Sequence, residues 1–167
     1  MQRGRLEDEL ASVEAKESWL SATLLDWGSC GQVARIDDAV VGYALYAPPA
    51  YLPGLGSYPT APVAPDAVLL ATLRVEDEHA DRGVARMLVQ GMAADLVRRG
   101  VRAVEAIAST DGAAPCLVPA DFLLAVGFTT VRPRRAGTFL IWRCEISFMA
   151  SAVSSTSTIS SGVSSAM

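Results

Sequence analysis

The chain has 167 residues, 51% of them hydrophobic, enough to bury the core of one small domain. Its formal net charge of −4 and pI near 4.9 exclude nucleic acid as the main partner, because a face that binds phosphodiesters shows as a basic excess.

Leu6, Leu10, Val13, Leu20 and Leu24 recur at helical spacing, which predicts an amphipathic helix over about Leu6 to Leu25. Glu7, Asp8, Glu14 and Lys16 lie outside its apolar stripe, and that stripe is expected to face a core. Gly31 to Ile36 and Val40 to Tyr46 read as two strands joined across Asp37-Asp38, a hairpin by period and turn chemistry. The two aspartates are expected to form the turn and not to hold a metal.

From Ala47 to Pro65 six prolines and two glycines exclude a regular helix or a central strand, so a long loop with fixed turns is expected. Tyr46, Tyr51 and Tyr58 in and beside it would either line an acceptor pocket or pack the loop on the sheet.

Val68, Leu69, Leu70, Leu73 and Val75 then form an apolar strand that ends at Glu76, Asp77 and Glu78. After Gly83, the residues Val84, Met87, Leu88, Met92 and Leu96 fall at helical spacing, with Arg86, Gln90, Asp95, Arg98 and Arg99 mostly on other faces. A helix from Gly83 to Gly100 is predicted, with Gly100 as the residue that ends it. A strand, a glycine and a helix N-terminus in that order leave backbone N–H groups open to a phosphate, and small residues at Gly83 and Ala85 allow close approach. Arg82 and Arg86 would add positive charge there, whereas an ordinary loop glycine before a surface helix is the plainer reading of the same residues.

A second apolar strand follows at Val101 to Ala108, then a helix around Ala120 to Val126, the pair Gly127-Phe128, and a strand over Thr138 to Ile146. From Ser151 the composition turns to Ser, Thr, Ala and Gly without periodicity, so residues 151–167 are expected to be a disordered tail after a domain spanning 1–150.

Cys30, Cys116 and Cys144 lack metal-ligand spacing and His79 is the sole histidine, so no metal site is expected. With no signal peptide or membrane-length apolar run in view, the expected setting is cytoplasmic, with reduced thiols and no membrane partner.

The segment Ala80-Asp81-Arg82-Gly83-Val84-Ala85 at a strand-to-helix junction resembles the acyl-CoA pyrophosphate signature of the GNAT superfamily of N-acyltransferases, Gln/Arg-x-x-Gly-x-Gly/Ala. Its glycine and final small residue match, and Ala80 stands where the family has Gln or Arg. The later strand, the helix and Gly127-Phe128 are similar to the family's order, so the resemblance covers roughly Trp27 to Arg143. Trp27 to Gly31, Tyr46 to Tyr51 and Cys116 to Phe128 look more specifically like a branch found in actinobacteria.

The resemblance implies a mixed α/β (α+β) fold with a mainly antiparallel central sheet flanked by helices, whose middle strands splay to admit acyl-CoA. The usual first strand is expected to be missing, since one helix alone precedes Gly31. It further implies an N-acetyltransferase that moves an acetyl group from acetyl-CoA, as co-substrate, to a primary amine of a small molecule or protein. A homodimer is one arrangement open to it.

By the same resemblance, backbone at Leu73, Arg74 and Val75 polarises the thioester carbonyl, and Asp81, Arg82, Gly83, Val84, Ala85 and Arg86 bind the cofactor. Where many relatives carry a tyrosine that protonates the thiolate, this chain has Leu123, and where an asparagine is common it has Cys116. An amine with a pKa near ~10.4 must lose a proton before it attacks. Glu105, acting through water, is the candidate general base, with a structural ion pair as its alternative reading. Glu78 is expected to end the strand, His79 to be a solvated turn residue able to titrate near neutrality, and Cys116 to lack a histidine that would activate it. A catalytically silent acyl-CoA-binding domain and a truncated interaction module that associates through an open strand edge are the alternatives.

Overall fold

The computed structural model describes residues 2–52, 63–109, 118–132, 139–146 and 163–165. These divide into two compact units, one running to Cys30 and the other from Gly31. Tyr58, Cys116 and most of the Ser-rich tail fall outside the described residues.

The first unit is dominated by α1, Gln2–Asp26. Of the described part of its apolar stripe, Val13 is 49% and Leu20 37% exposed, and Leu24 is half-buried. Trp19 and Thr23, on a neighbouring face, are the more covered residues, and the Thr23 hydroxyl is satisfied locally by donating to Trp19 O at 2.8 Å. Gly28, with φ 103°, then turns the chain out of the helix, while the Trp27 and Gly28 amides both bond Thr23 O.

The second unit is one sheet. Its strands are β1 (Gly31–Ile36), β2 (Ala39–Ala47), β3 (Ala67–Val75), β4 (Ala103–Ser109), β5 (Thr129–Arg132), β6 (Phe139–Glu145) and β7 (Val163–Ser165), in the order β5-β6-β4-β3-β2-β1-β7. Every pairing is antiparallel except that of β3 with β4, which needs a crossover and receives one in α2, Val84–Arg98. A short α3, Ala120–Ala125, precedes β5.

Local chemistry accounts for the junctions. Asp37 and Asp38 both have positive φ, 48° and 67°, and Ile36 pairs with Ala39, so they form the two-residue primed turn that joins β1 to β2. Gly100, at φ 72°, ends α2 as Gly127, at φ 95°, ends α3. In each case the following amide reaches back to the helix, Val101 N to Leu96 O at 3.0 Å and Phe128 N to Leu123 O at 2.9 Å. The Gly127-Phe128 step is therefore a helix cap whose phenyl ring is buried.

Beyond Gly83, α2 buries Val84, Leu88, Val89, Met92, Ala93 and Leu96. Asp95, expected on an outer face, is buried with them because it serves the sheet: Gln32 Nε2 donates to Tyr46 Oη at 3.1 Å, and Tyr46 Oη donates to Asp95 Oδ2 at 3.0 Å. Arg98 and Arg99 pair with the same carboxylate, each at 3.3 Å. Tyr46 is thus a fully buried core residue. The opposite face of the sheet carries a smaller cluster of Val63, Ala67, Leu69, Ala103 and Ile107, with Leu52 and Ala64 packed on it.

Two features bear on the expected domain limits. Among the described residues no strand precedes β1. The tail expected to be disordered supplies β7, whose Val163, Ser164 and Ser165 pair with Ala34, Val33 and Gln32. An unpaired strand edge offers backbone partners whatever the side chains, which is why a Ser-rich segment can fill it.

Candidate active site

β3 leaves the sheet at Val75, and the Glu76 amide closes the exit by bonding Val41 O at 2.9 Å. One turn of 3-10 helix, Asp77–His79, carries the chain to Ala80 and on to Gly83. Gly83 is the N-cap of α2 in a left-handed conformation, φ 77° and ψ 7°, and no heavy atom lies within 4 Å of where its Cβ would stand. No side chain caps α2, so the amides of its first turn have neither intrahelical nor side-chain acceptors. This is an open cradle of N–H groups at the positive end of a fifteen-residue helix, and its chemistry fits a phosphate.

Of the residues expected to hold the cofactor, Gly83, Val84 and Ala85 form the cradle, and Asp81 and Arg82 flank it with exposed side chains. Arg86 is placed otherwise. Its Nη2 donates to Ala125 O at 3.1 Å, at the C-terminal end of α3, where the aligned carbonyls favour a cation. His79 is half-buried, and its Nδ1 is enclosed without a hydrogen-bond partner among the described residues.

β3 and β4 pair only from Ala67 to Leu70 and from Ala103 to Ala106. Ala71 is the residue at which they part. On its other side β3 pairs Leu70 with Tyr46 and Thr72 with Leu45, leaving Ala71 as an extra residue, a bulge. A bulge bends its strand and sharpens the twist, so β3 turns away from β4 at the point where their ladder ends. Leu73, Arg74 and Val75 continue paired with β2 on one edge, and their other edge has no strand partner among the described residues.

At the C-terminal end of β3 lies a cleft of about 560 Å³. Val40, Gly42 and Val75 form its apolar part, and Tyr43, Arg74, Glu76 and Asp77 its polar part. Tyr43 stands directly across the strands from Arg74. Gly42 is required here, because a Cβ on it would lie 2.8 Å from Arg74 O and 3.3 Å from Leu88 Cδ1.

Glu105 is buried, and both its oxygens are occupied: Arg143 Nη1 donates to Oε1 at 3.2 Å, and the Ala64 amide to Oε2 at 3.1 Å. Arg143 also holds Asp66 through two nitrogens, at 3.3 and 3.0 Å, and Glu145 at 3.0 Å. Hydrogen bonding to Arg143 draws the Asp66 carboxyl below its usual range, and the same partners raise the guanidinium, with Asp66 contributing most. The arrangement is the structural ion pair, widened to three carboxylates on one arginine. Leu123 is fully buried and has no proton to give. Burial, with Glu145 nearby, pushes the Cys144 thiol up to about 11, which keeps it un-ionised and inert at neutral pH.

Tyr43, Asp66 and Arg143 were not singled out by the sequence. Asp66 and Arg143 are 77 positions apart, and nothing in a single chain signals such a pair. Among the described residues no group of three or more His, Cys, Asp or Glu is placed to hold a metal.

The family model for the GNAT acetyltransferase family matches residues 3–116. The chain belongs to this family. Among solved structures the GNAT chain is similar to a protein of the GNAT family from Desulfovibrio desulfuricans, with 19% identity over 81% of this chain and 82% of that one, at a TM-score of 0.58. It is also similar to yncA from Salmonella typhimurium, solved with its cofactor acetyl-CoA, with 17% identity over 80% and 73% of the two chains and a TM-score of 0.57. The PaiA N-acetyltransferase of Thermoplasma acidophilum, in complex with coenzyme A, is 11% identical over 77% and 67%, with a TM-score of 0.55. No curated protein matches this GNAT chain in sequence. At these identities the likeness is one of fold, and it agrees with the mixed, mainly antiparallel sheet.

Proposed function

We propose that this GNAT domain transfers an acetyl group from acetyl-CoA to a primary amine. The observation that carries the reading is the parting of β3 from β4 at Ala71, beside the uncapped N-terminus of α2. A free strand edge and a free helix end, joined by one short loop, suit a donor with an extended amide-bearing arm and a pyrophosphate.

In this reading Gly83, Val84 and Ala85 hold the pyrophosphate through backbone N–H groups, and Arg82 adds an exposed charge. A backbone N–H within Leu73 to Val75 polarises the thioester carbonyl, which becomes an oxyanion as the amine attacks. The carbon–nitrogen bond forms, the carbon–sulfur bond breaks, and the amine proton passes to solvent. Solvent likewise protonates the departing thiolate, because Leu123 supplies no acid. Glu105 serves the sheet and not the proton, since accepting one would sacrifice its bonds to Arg143 and Ala64.

A second reading, an acyl-CoA-binding domain without turnover, draws on Leu123 and on Ala80 in the signature loop. Calorimetric titration with acetyl-CoA, followed by an amine-acceptor screen for thiol release, separates the two. Saturable binding with turnover supports the transferase, saturable binding with none across the screen supports the silent domain, and no binding by the folded chain overturns both.

A further inference from the structure

The described arginines differ in how they are used. Arg98, Arg99 and Arg143 pair with carboxylates, and Arg86 and Arg35 reach the backbone carbonyls of Ala125 and Asp38. Arg74, exposed in the wall of the cleft, has neither an ion pair nor a side-chain hydrogen bond among the described residues. The same holds for Glu76 and Asp77, also exposed and lining the same space. Charges of both signs therefore line one cleft without an ion pair between them among the described residues, beside an apolar part from Val40 and Val75 and a Tyr43 that is 39% exposed.

This cleft also borders the strand on which the acyl carbonyl is expected, since Arg74 and Val75 both line it and both lie beyond the end of the β3–β4 ladder. Its volume of about 560 Å³ suits a small molecule. A guanidinium presents a planar fork that matches a carboxylate, the two side-chain carboxylates match an ammonium, and the phenol ring with the two valines matches an apolar body.

We infer that the acceptor is a small amine that also bears a carboxylate, an apolar or aromatic α-amino acid in chemical class, with Arg74 on its carboxylate and Glu76 and Asp77 on its ammonium. This rests on the transferase reading and gives it a substrate class. It assigns Arg74 a specificity role and makes the cleft zwitterionic by design of its lining, with a net charge of −1 from one arginine and two carboxylates.

The test measures binding of L-phenylalanine and L-leucine, and of the matching amines 2-phenylethylamine and isoamylamine, to the full chain in the presence of saturating CoA. Amino acids are expected to bind roughly five- to ten-fold more tightly than the amines, the scale of one partly exposed charge-assisted pair. Arg74→Met is expected to abolish that preference by bringing amino-acid binding down to the level of the amines, and Glu76→Gln with Asp77→Asn to weaken both classes. Circular dichroism confirms that each variant is folded. Equal or tighter binding of the amines, or a preference that survives Arg74→Met, overturns the inference. An acetyl-CoA titration of the same samples separates the two levels: cofactor binding without amino-acid preference overturns the inference alone, whereas a folded chain that binds no acetyl-CoA overturns the transferase reading together with it.

Discussion

Tyr46, on β2, donates its phenolic hydrogen to Asp95 on α2 at 3.0 Å, with the tyrosine fully buried and the aspartate 7% exposed. The bond ties the crossover helix to the sheet, and Gln32 and the two arginines complete it on either side. Since α2 carries the Gly83 cradle at its other end, the same bond fixes where that cradle stands.

Tyr46→Phe removes the donor to Asp95 and the acceptor of Gln32 in one step. A loss of about 1–3 kcal/mol in stability is expected, because buried polar groups lose partners and regain no water. Urea denaturation of the two proteins measures it. A change within error would show that the network is wet.

Gly42→Ala places a methyl group 2.8 Å from Arg74 O, against backbone that cannot swing aside. The expected destabilisation is about 1–3 kcal/mol, the range for overpacking a tight contact. Thermal melts check it, and the variant should also disturb the cleft, since the crowded carbonyl belongs to Arg74.

At Gly83 conformation and charge can be told apart. Asparagine tolerates the left-handed region, and there is open space for its side chain, so Gly83→Asn should retain acetyl-CoA affinity within a few-fold. Gly83→Glu puts a bulky anion into the cradle and should abolish binding. Equal affinities in two folded variants would place the pyrophosphate elsewhere.

Asp66 provides a pH test. Its carboxyl is held below the ordinary value of 3.8, chiefly by its hydrogen bond to Arg143, so its folded-state pKa is the lower one. Its contribution is present above the unfolded pKa and is lost as pH falls through the folded pKa. Melting temperatures of the wild type and Asp66→Asn, compared from pH 6 down to pH 2, should differ most at the upper end and converge below about 3.8. A gap that stays constant with pH would mean that ionisation of Asp66 is not what couples it to Arg143.

Much of the fold was legible because it is written locally. The hairpin followed from two turn-forming aspartates between alternating strands, and both ends of α2 from glycines whose positive φ the structure confirms. The order of strand, glycine and helix N-terminus around Gly83 was legible for the same reason, being one short contiguous segment. What escaped were relations across the sheet. Asp95 was assigned outward by helical spacing alone, and its inward turn depends on a phenol 49 positions earlier. Val13 and Leu20 lie on the expected helix and are exposed, since periodicity tells which residues share a face and not how far each is covered. Glu105 was recognised as a carboxylate of consequence, but its partners, Arg143 and the Ala64 amide, come from strands and loops that only the fold brings to it.

Among the described residues, the parting of β3 from β4 leaves the middle of the sheet with one lane of backbone hydrogen bonds unmade. A ligand with amide groups along an extended arm would fill that lane as a non-peptide strand, and its binding would read as the last step of folding. Amide exchange should therefore slow on donor binding in the stretch from Ala71 to Val75 and from Ile107 to Ser109. The remaining ladders, which the donor would not extend, would change little.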